Sequence, residues 1–195
     1  MSDQKKLILI IICIVVLLGG ASFLYQKLST EKSNTIPNKE TESPSSNGTT
    51  KDKDSDVNRY IDFTVLDKDG NEVKLSPFIG KPIVLNFWAS WCGPCKNEMP
   101  EFNDAYLEYS DKVTFLMVNL TDGSRETVDT ASKYVKDKQF ELPIYFDTKS
   151  DAARSYSISS IPQSIFIDAS GQIVDERLGS MTYDLLVSYI EQILN

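Results

Sequence analysis

The stretch that decides the fold is Ile83–Cys95, IVLNFWASWCGPC. Its first six residues, Ile83–Trp88, are almost all apolar, which predicts a strand buried on both faces. Cys92 and Cys95 follow, two residues apart, at the predicted start of a helix. There, free backbone N–H groups and the helix dipole lower the pKa of a thiol. Pro94 suits the first helical turn, where its missing N–H is no loss. The pattern predicts a reversible dithiol/disulfide couple in which Cys92 attacks and Cys95 resolves.

Cysteine pairs with this spacing also occur in zinc sites, which normally take four ligands from Cys and His. The chain contains no histidine, and its third cysteine, Cys13, lies in an apolar run far from the pair. A Cys/His zinc site within one chain therefore cannot be completed. A static structural disulfide and a pair of inert buried thiols stay open as alternatives to a redox-active pair.

The amino-terminal part of the chain predicts a membrane anchor. Residues 7–25 carry no charge, and their number is close to the ~20 needed to span a bilayer. Lys5 and Lys6 precede them, so residues 1–6 are expected in the cytoplasm and the rest of the chain outside. A cleaved signal peptide is the alternative, but its apolar core would be shorter. Cys13, inside the run, is interpreted as a small apolar filler.

Composition divides the remaining chain into a linker and a domain. Residues 26–56 are dominated by Ser, Thr, Asn, Pro and charged residues. They cannot bury enough apolar surface to fold, which predicts a disordered linker. Residues 57–195 are the predicted folded domain, and they carry most of the acidity of a chain whose net charge is −8. This acidity argues against nucleic acid as a partner and against a domain that lies flat on anionic lipid.

Strand-like and helix-like patterns alternate along the domain. Asp69-Gly70 predicts a hairpin ahead of the buried strand, and Ser76 is expected to cap a short helical turn. Pro100 should kink the helix that follows Cys95 or end its first segment, after which the helix resumes through Phe102, Tyr106 and Tyr109. The further predicted elements are a strand at 113–120, a helix at 126–138, a strand at 144–146, a short helix at 151–156, a hairpin at 164–178 and a helix at 182–194. This order predicts an α/β fold in which helices flank a central mixed sheet.

The order of elements and the segment Asn86–Phe102, NFWASWCGPCKNEMPEF, resemble the thioredoxin fold. More narrowly, they resemble the membrane-anchored TlpA/ResA-like thiol-disulfide oxidoreductases of bacteria. The amino-terminal hairpin and a helical insertion near Gly123–Lys138 fit that branch. The resemblance implies that Ile161 and Pro162 form the cis-proline loop, which lies against the cysteines and pairs with the substrate backbone. It also implies a substrate-binding surface completed by Trp91, Gly93 and Pro94.

The same resemblance gives expectations for two polar residues near the cysteines. Thioredoxin has a titratable aspartate where Asn86 stands, so an amide here closes that route for removing the proton of the second thiol. Glu98 lies one helical turn beyond Cys95, at the spacing of helical neighbours. In the ResA-like branch a glutamate in this place tunes the thiols and takes part in proton transfer. The alternative is an exposed glutamate without a role.

The resemblance implies a single-pass membrane enzyme whose catalytic domain lies outside the cytoplasm. It would reduce disulfides of exported proteins such as apocytochrome c or a methionine sulfoxide reductase, with the Cys92–Cys95 couple as its redox centre. No metal or organic cofactor is implied, and the catalytic domain is expected to be a monomer. A transmembrane thiol carrier of the CcdA/DsbD kind would supply the electrons.

Oxidants of the DsbA type carry a histidine between their cysteines that stabilises the thiolate and raises the redox potential. Gly93 and Pro94 stand in that place, which favours a reductant. Three alternatives remain: an extracytoplasmic disulfide oxidase or isomerase, a non-catalytic module that binds exported chains, and a peroxidase.

Overall fold

The structure is a computed structural model that describes residues 58–195. The predictions for residues 1–6, for the anchor at 7–25 and for the linker at 26–56 lie outside the described residues. Within residues 58–195, no helix combines the length and the apolar character needed to cross a membrane.

A mixed sheet lies at the centre of the described domain. Its strands are β1 Thr64–Leu66, β2 Glu72–Lys74, β3 Ile83–Trp88, β4 Thr114–Asn119, β5 Ile144–Phe146, β6 Gln163–Ile167 and β7 Ile173–Leu178, in the spatial order β2-β1-β5-β4-β3-β6-β7. The three strands β3, β4 and β5 are parallel because helices connect them. β6 runs antiparallel to β3, and β7 runs antiparallel to β6. The hairpin β1–β2 joins β5 through the pair Leu66 and Phe146.

Helices cover both faces of the sheet. They are α1 Gly93–Tyr109, α2 Val128–Lys138, α3 Asp151–Ser155 and α4 Tyr183–Leu194, with a 3₁₀ turn at Ser76–Phe78. One hydrophobic cluster joins α1, α2 and α4 to one face, and a second joins α3 and the first hairpin to the other. The predicted α/β architecture, with its amino-terminal hairpin and the inserted helix α2 between β4 and β5, is confirmed.

The strand β3 explains why the apolar run is continuous. All six of its residues are buried. Val84 and Trp88 belong to the cluster of α1, α2 and α4, whereas Leu85 and Phe87 belong to the opposite cluster. Successive side chains of a strand point to opposite faces, so a strand covered on both sides needs apolar residues throughout. The chain leaves the carboxyl end of this central strand at Trp88 and reaches Cys92, at the start of α1, four residues later.

Helix α1 continues past Pro100 to Tyr109 without a break, which agrees with the predicted helical segment through Tyr109. Met99 and Phe102 are fully buried on either side of the proline and hold both halves of the helix against the core. One local prediction is wrong, since Ser76 does not cap the 3₁₀ turn with its side chain. Its hydroxyl donates to Oδ2 of Asp62 at 2.9 Å instead.

Candidate active site

The two cysteines occupy the first turn of α1. Cys92 is the N-cap, with an extended backbone, and the N–H of Cys95 donates to its Sγ at 3.2 Å. The two residues are joined in a disulfide, and their Cα atoms lie 5.2 Å apart. Cys92 is 5% exposed, whereas Cys95 is fully buried. A substrate sulfur can therefore reach Cys92, while Cys95 is placed to attack only from within.

The residues between the cysteines leave the surface open. Gly93 and Pro94 are both exposed, and a Cβ added to Gly93 would meet no atom within 4 Å. Nothing in the described fold requires a glycine at this position for space. Gly93 and Pro94 therefore form a small, uncharged surface beside Cys92 that a substrate chain can approach.

The loop before β6 approaches the cysteines from the other side. The Ile161–Pro162 peptide bond is cis, and the carbonyl oxygen of Ile161 lies 3.7 Å from Sγ of Cys92. Trp91 faces this loop across a groove of about 300 Å³, with 39% of its surface exposed. The groove is lined by Trp91, Leu120, Ile158, Ser159, Ser160 and Ile161. Residues predicted as substrate-binding thus lie together around Cys92.

Glu98 is buried behind the disulfide rather than exposed on its helix. Only 1% of its surface is accessible. Asn86 Nδ2 donates to its Oε1 at 2.9 Å, and the N–H of Met181 donates to its Oε2 at 3.1 Å. Burial raises the pKa of Glu98 to about 7, although these two hydrogen bonds act in the opposite direction. The alternative of an exposed glutamate is wrong, and the carboxyl is able to exchange a proton near neutral pH.

Asn86 connects Glu98 to the sheet. It stands in the middle of β3, and the same Nδ2 group that donates to Glu98 also donates to Oγ of Ser164 on β6 at 2.9 Å. Asn86 and Ser164 are buried as well. The carboxyl of Glu98 is therefore fixed by neighbours that cannot titrate, which leaves Glu98 as the group of this cluster that changes charge.

A second buried carboxylate belongs to Glu126, a residue that the sequence pattern places at the start of a helix and not in the site. The helix α2 begins two residues later, after an N-cap at Thr127. Glu126 Oε1 accepts from the N–H of Ser90 at 2.8 Å and from Asn119 Nδ2 at 2.7 Å, and its Oε2 accepts from the hydroxyl of Ser90 at 2.7 Å. Ser90 stands two residues before Cys92, so Glu126 fixes the chain that leads into the site.

Arg125 was also missed. Its guanidinium carbon lies 3.5 Å from the centroid of the Trp91 ring, a distance typical of a cation–π contact. No local pattern in the sequence links the two residues, because they are brought together only by the arrangement of β3 and β4. Among residues 58–195, no group of three or more His, Cys, Asp and Glu side chains could hold a metal ion.

Comparison with known proteins places this site in a family. The profile of the AhpC/TSA family matches residues 58–176. The thiol-disulfide oxidoreductase ResA of Bacillus thuringiensis subsp. konkukian is 32% identical over 131 residues, which are 67% of this chain and 74% of that protein. The sporulation thiol-disulfide oxidoreductase A of Bacillus subtilis is 32% identical over 131 residues, which are 67% of this chain and 78% of that protein. The chain belongs to the AhpC/TSA family, as a ResA-like member of the thioredoxin superfamily.

Solved structures agree with this assignment of the ResA-like chain. StoA from Bacillus subtilis matches with a TM-score of 0.59 and 30% identity, over 67% of this chain and 96% of that one. The pneumococcal exposed lipoprotein thioredoxin Etrx1 from Streptococcus pneumoniae matches with a TM-score of 0.60 and 28% identity, over 68% of this chain and 99% of that one. The predicted thioredoxin-like fold is confirmed, and this ResA-like protein is a thiol-disulfide oxidoreductase with the redox-active pair Cys92 and Cys95.

Proposed function

We propose that this ResA-like oxidoreductase reduces disulfides in exported proteins. The observation that supports this direction is the charge around Cys95. No histidine between the cysteines stabilises a thiolate, and Glu98 adds a buried carboxyl one helical turn further on. A carboxylate opposes the formation of a second negative charge nearby. When the thiolates of a cysteine pair are not stabilised, the pair favours its disulfide form, and its dithiol form readily reduces the disulfide of a substrate.

In the proposed reaction, the thiolate of Cys92 attacks one sulfur of the substrate disulfide. A mixed disulfide forms, and the other substrate sulfur leaves as a thiolate that takes up a proton. Cys95, after losing its proton, attacks Sγ of Cys92 and releases the first substrate sulfur, which becomes the second thiol. Two electrons pass from the enzyme to the substrate, and the enzyme is left with the Cys92–Cys95 disulfide.

The proton of Cys95 needs an acceptor inside the protein, because that thiol is fully buried. We assign this role to Glu98, which is buried on the next turn of α1 and has a pKa of about 7. An acceptor with a pKa near the working pH is half-ionised there and can both take and return a proton. Asn86, which cannot titrate, holds the carboxyl in place.

The proposed location rests on the sequence. Residues 7–25 carry no charge, and Lys5 and Lys6 precede them, which supports a single-pass anchor with residues 1–6 in the cytoplasm and the catalytic domain outside. No soluble thiol pool would restore the dithiol there. We therefore include a transmembrane thiol carrier of the CcdA/DsbD kind as the electron donor, with apocytochrome c or a methionine sulfoxide reductase as candidate substrates.

The redox potential of the Cys92/Cys95 couple tests the direction of electron flow. The full chain in detergent micelles, with Cys13→Ser so that only one couple titrates, would be equilibrated with glutathione and dithiothreitol buffers. A potential at or below about −230 mV supports the reductase. A potential above about −180 mV contradicts it and favours disulfide formation or isomerisation.

A double replacement, Cys92→Ser with Cys95→Ser, tests the alternative of a non-catalytic binding module. The reductase requires both sulfurs, so this variant should lose all cellular function. A cell that keeps normal function with the double variant would show that binding alone is sufficient.

Protease added to the outside of intact spheroplasts should digest residues 58–195 of the wild type, and protection from that protease would contradict the proposed orientation.

A further inference from the structure

Two consecutive residues of the loop after β4 contact two consecutive residues just before the nucleophile. Arg125 covers the ring of Trp91, and Glu126 binds the backbone and the hydroxyl of Ser90. Ser90 and Trp91 lead directly into Cys92. This loop, residues 122–126, therefore touches the active site without belonging to the cysteine motif or to the cis-proline segment.

The loop is held firmly by its own hydrogen bonds. Asp122 Oδ1 accepts from the backbone N–H groups of Ser124 at 2.7 Å, of Arg125 at 2.7 Å and of Glu126 at 3.0 Å. The N–H of Gly123 donates to the carbonyl of Glu126 at 2.9 Å. The buried side chain of Glu126 anchors the carboxyl end of the loop in the protein. The side chain of Asp122 holds the amino end through its hydrogen bonds to the loop backbone. The backbone of Arg125 is thus fixed, and its side chain is directed to one place.

Arg125 keeps its charge available at that place. Its side chain is exposed. The positive charge of Arg125 helps to lower the pKa of Asp122 in the same loop, but within residues 58–195 no carboxylate lies within 4.0 Å of its guanidinium. A guanidinium that stacks flat on a ring keeps its N–H donors in its own plane, where they match a carboxylate in a bidentate arrangement. Stacking on Trp91 therefore orders the guanidinium and leaves its hydrogen-bonding edge for another molecule.

The charge pattern around the groove indicates what that molecule carries. The groove between Trp91 and Ile161 is lined by apolar and hydroxyl side chains only. The chain as a whole has a net charge of −8, so its general field repels an acidic polypeptide. Arg125 stacks on Trp91, one of these lining residues, so a positive charge lies beside the groove and can attract a carboxylate where the substrate approaches Cys92.

We propose that Arg125 is a specificity-determining residue that binds the carboxylate of an Asp or Glu next to the substrate disulfide. Glu126 is the positioning residue that holds Arg125 there. The substrate class is accordingly a disulfide-containing polypeptide with an acidic residue close to the attacked cysteine. This inference rests on the proposed function for the groove as the substrate site, but it does not depend on the direction of electron flow.

The test uses three disulfide peptides that differ only in the residue beside the cysteine: Glu, Gln or Lys. The full chain with Cys13→Ser and Cys95→Ser, in detergent micelles, forms a mixed disulfide with each peptide through Cys92, and the rate of its formation is measured. At about 0.15 M salt, charges further than about 8 Å are screened. The Glu peptide should then react about fivefold faster than the Lys peptide, the upper range for an exposed ion pair.

Arg125→Gln should abolish this preference, so that the ratio of the two rates falls to one or below. Lys68→Gln is the matched control, because it removes one positive charge from a largely exposed side chain on the β1–β2 turn, and it should keep the wild-type ratio. Arg125→Lys keeps the charge but not the planar fork, so it should retain only part of the preference.

Three results would overturn the proposal: equal rates for the three peptides in the wild type, an unchanged ratio in Arg125→Gln, or a lost ratio in Lys68→Gln. A shift of the Cys92/Cys95 potential in Arg125→Gln, with discrimination retained, would show that Arg125 acts on the thiolate and not on the substrate. Failure of the reductase proposal is recognised separately by the redox potential, since mixed-disulfide rates are read with Cys95 replaced.

Discussion

The side chain with the largest chemical consequence after the cysteines is Glu98. Water would hold the pKa of this carboxyl at its ordinary value of 4.5, whereas burial raises its pKa to about 7. The folded protein therefore binds this proton more tightly than the unfolded chain does. Its contribution to stability is present in full below pH 4.5 and is lost as the pH rises through about 7.

We therefore expect the free energy of unfolding of the oxidised protein to fall by about 3 kcal/mol between pH 4.5 and 7, since each pKa unit corresponds to about 1.4 kcal/mol. Glu98→Gln, which imitates the protonated form, should remove this decline. Urea titrations across that pH range measure both curves. Glu141→Gln, which removes an exposed carboxyl, should keep the wild-type slope. A wild-type curve as flat as that of Glu98→Gln would contradict a raised pKa.

Residues of the site differ in how far the sequence alone identifies them. Cys92, Cys95 and Glu98 lie within seven consecutive positions, so the geometry of one helix relates them before any tertiary structure is known. Arg125 and Glu126 are more than thirty positions from Trp91 and Ser90. Their contact depends on the pairing of β3 with β4. No periodicity within either segment contains that information.

At the scale of elements, the predicted ends of helices and strands differ from the observed ends where a terminal side chain binds a distant part of the chain. The central strands were predicted to within about a residue, because burial on both faces leaves an unbroken apolar run. The helix α2 was expected from Glu126 but begins at Val128. The side chain of Glu126 is used by Ser90 and Asn119, and Thr127 caps the helix instead.

The loop after β4 should depend on the oxygen atoms of Glu126 more than on its charge. Glu126→Ala would remove the acceptor of three hydrogen bonds, two from the half-buried Ser90 and one from the buried Asn119, and should cost about 3 kcal/mol. Glu126→Gln should cost only about 1 kcal/mol, because the hydroxyl of Ser90 can accept from the new amide. Chemical denaturation gives both values. Under conditions where both variants are folded, Ala should also lose the discrimination between charged peptides, and Gln should keep it. An alanine variant as stable and as selective as the glutamine variant would contradict this role of Glu126.

Helix α1 carries an internal proline at Pro100 that its packing tolerates. Proline removes one N–H donor from the helix, here the one that would reach the carbonyl of Lys96. Pro100→Ala should therefore raise the free energy of unfolding by about 1–3 kcal/mol. Asn97→Ala, an exposed position on the same helix, is the control and should gain only the difference in helix propensity, about 0.5 kcal/mol. A gain no larger than that control would show that the helix has adapted to the proline at no cost.

At the scale of the whole molecule, two electrostatic effects oppose each other. Residues 60–195 contain 21 Asp and Glu residues against 12 Lys and Arg residues, and the resulting negative field attracts basic polypeptides over a distance set by the salt concentration. Arg125 stacks on Trp91, a residue that lines the groove, and acts only on a group that has come close to this wall. The long-range negative field therefore favours basic polypeptides, whereas the proposed substrate is acidic next to its disulfide. A positive charge fixed beside the groove is needed to favour the acidic substrate there.

The two effects separate when Arg125 is removed and the salt concentration is varied. In Arg125→Gln, at about 0.01 M salt, where the Debye length is about 30 Å, the Lys peptide should react faster than the Glu peptide. At about 1 M salt, where this length is about 3 Å, the two rates should converge on that of the Gln peptide. Mixed-disulfide rates across this range measure the convergence. Rates that stay apart at high salt would mean that another charged group of the protein contacts the peptide directly, since only a contact inside the groove escapes screening.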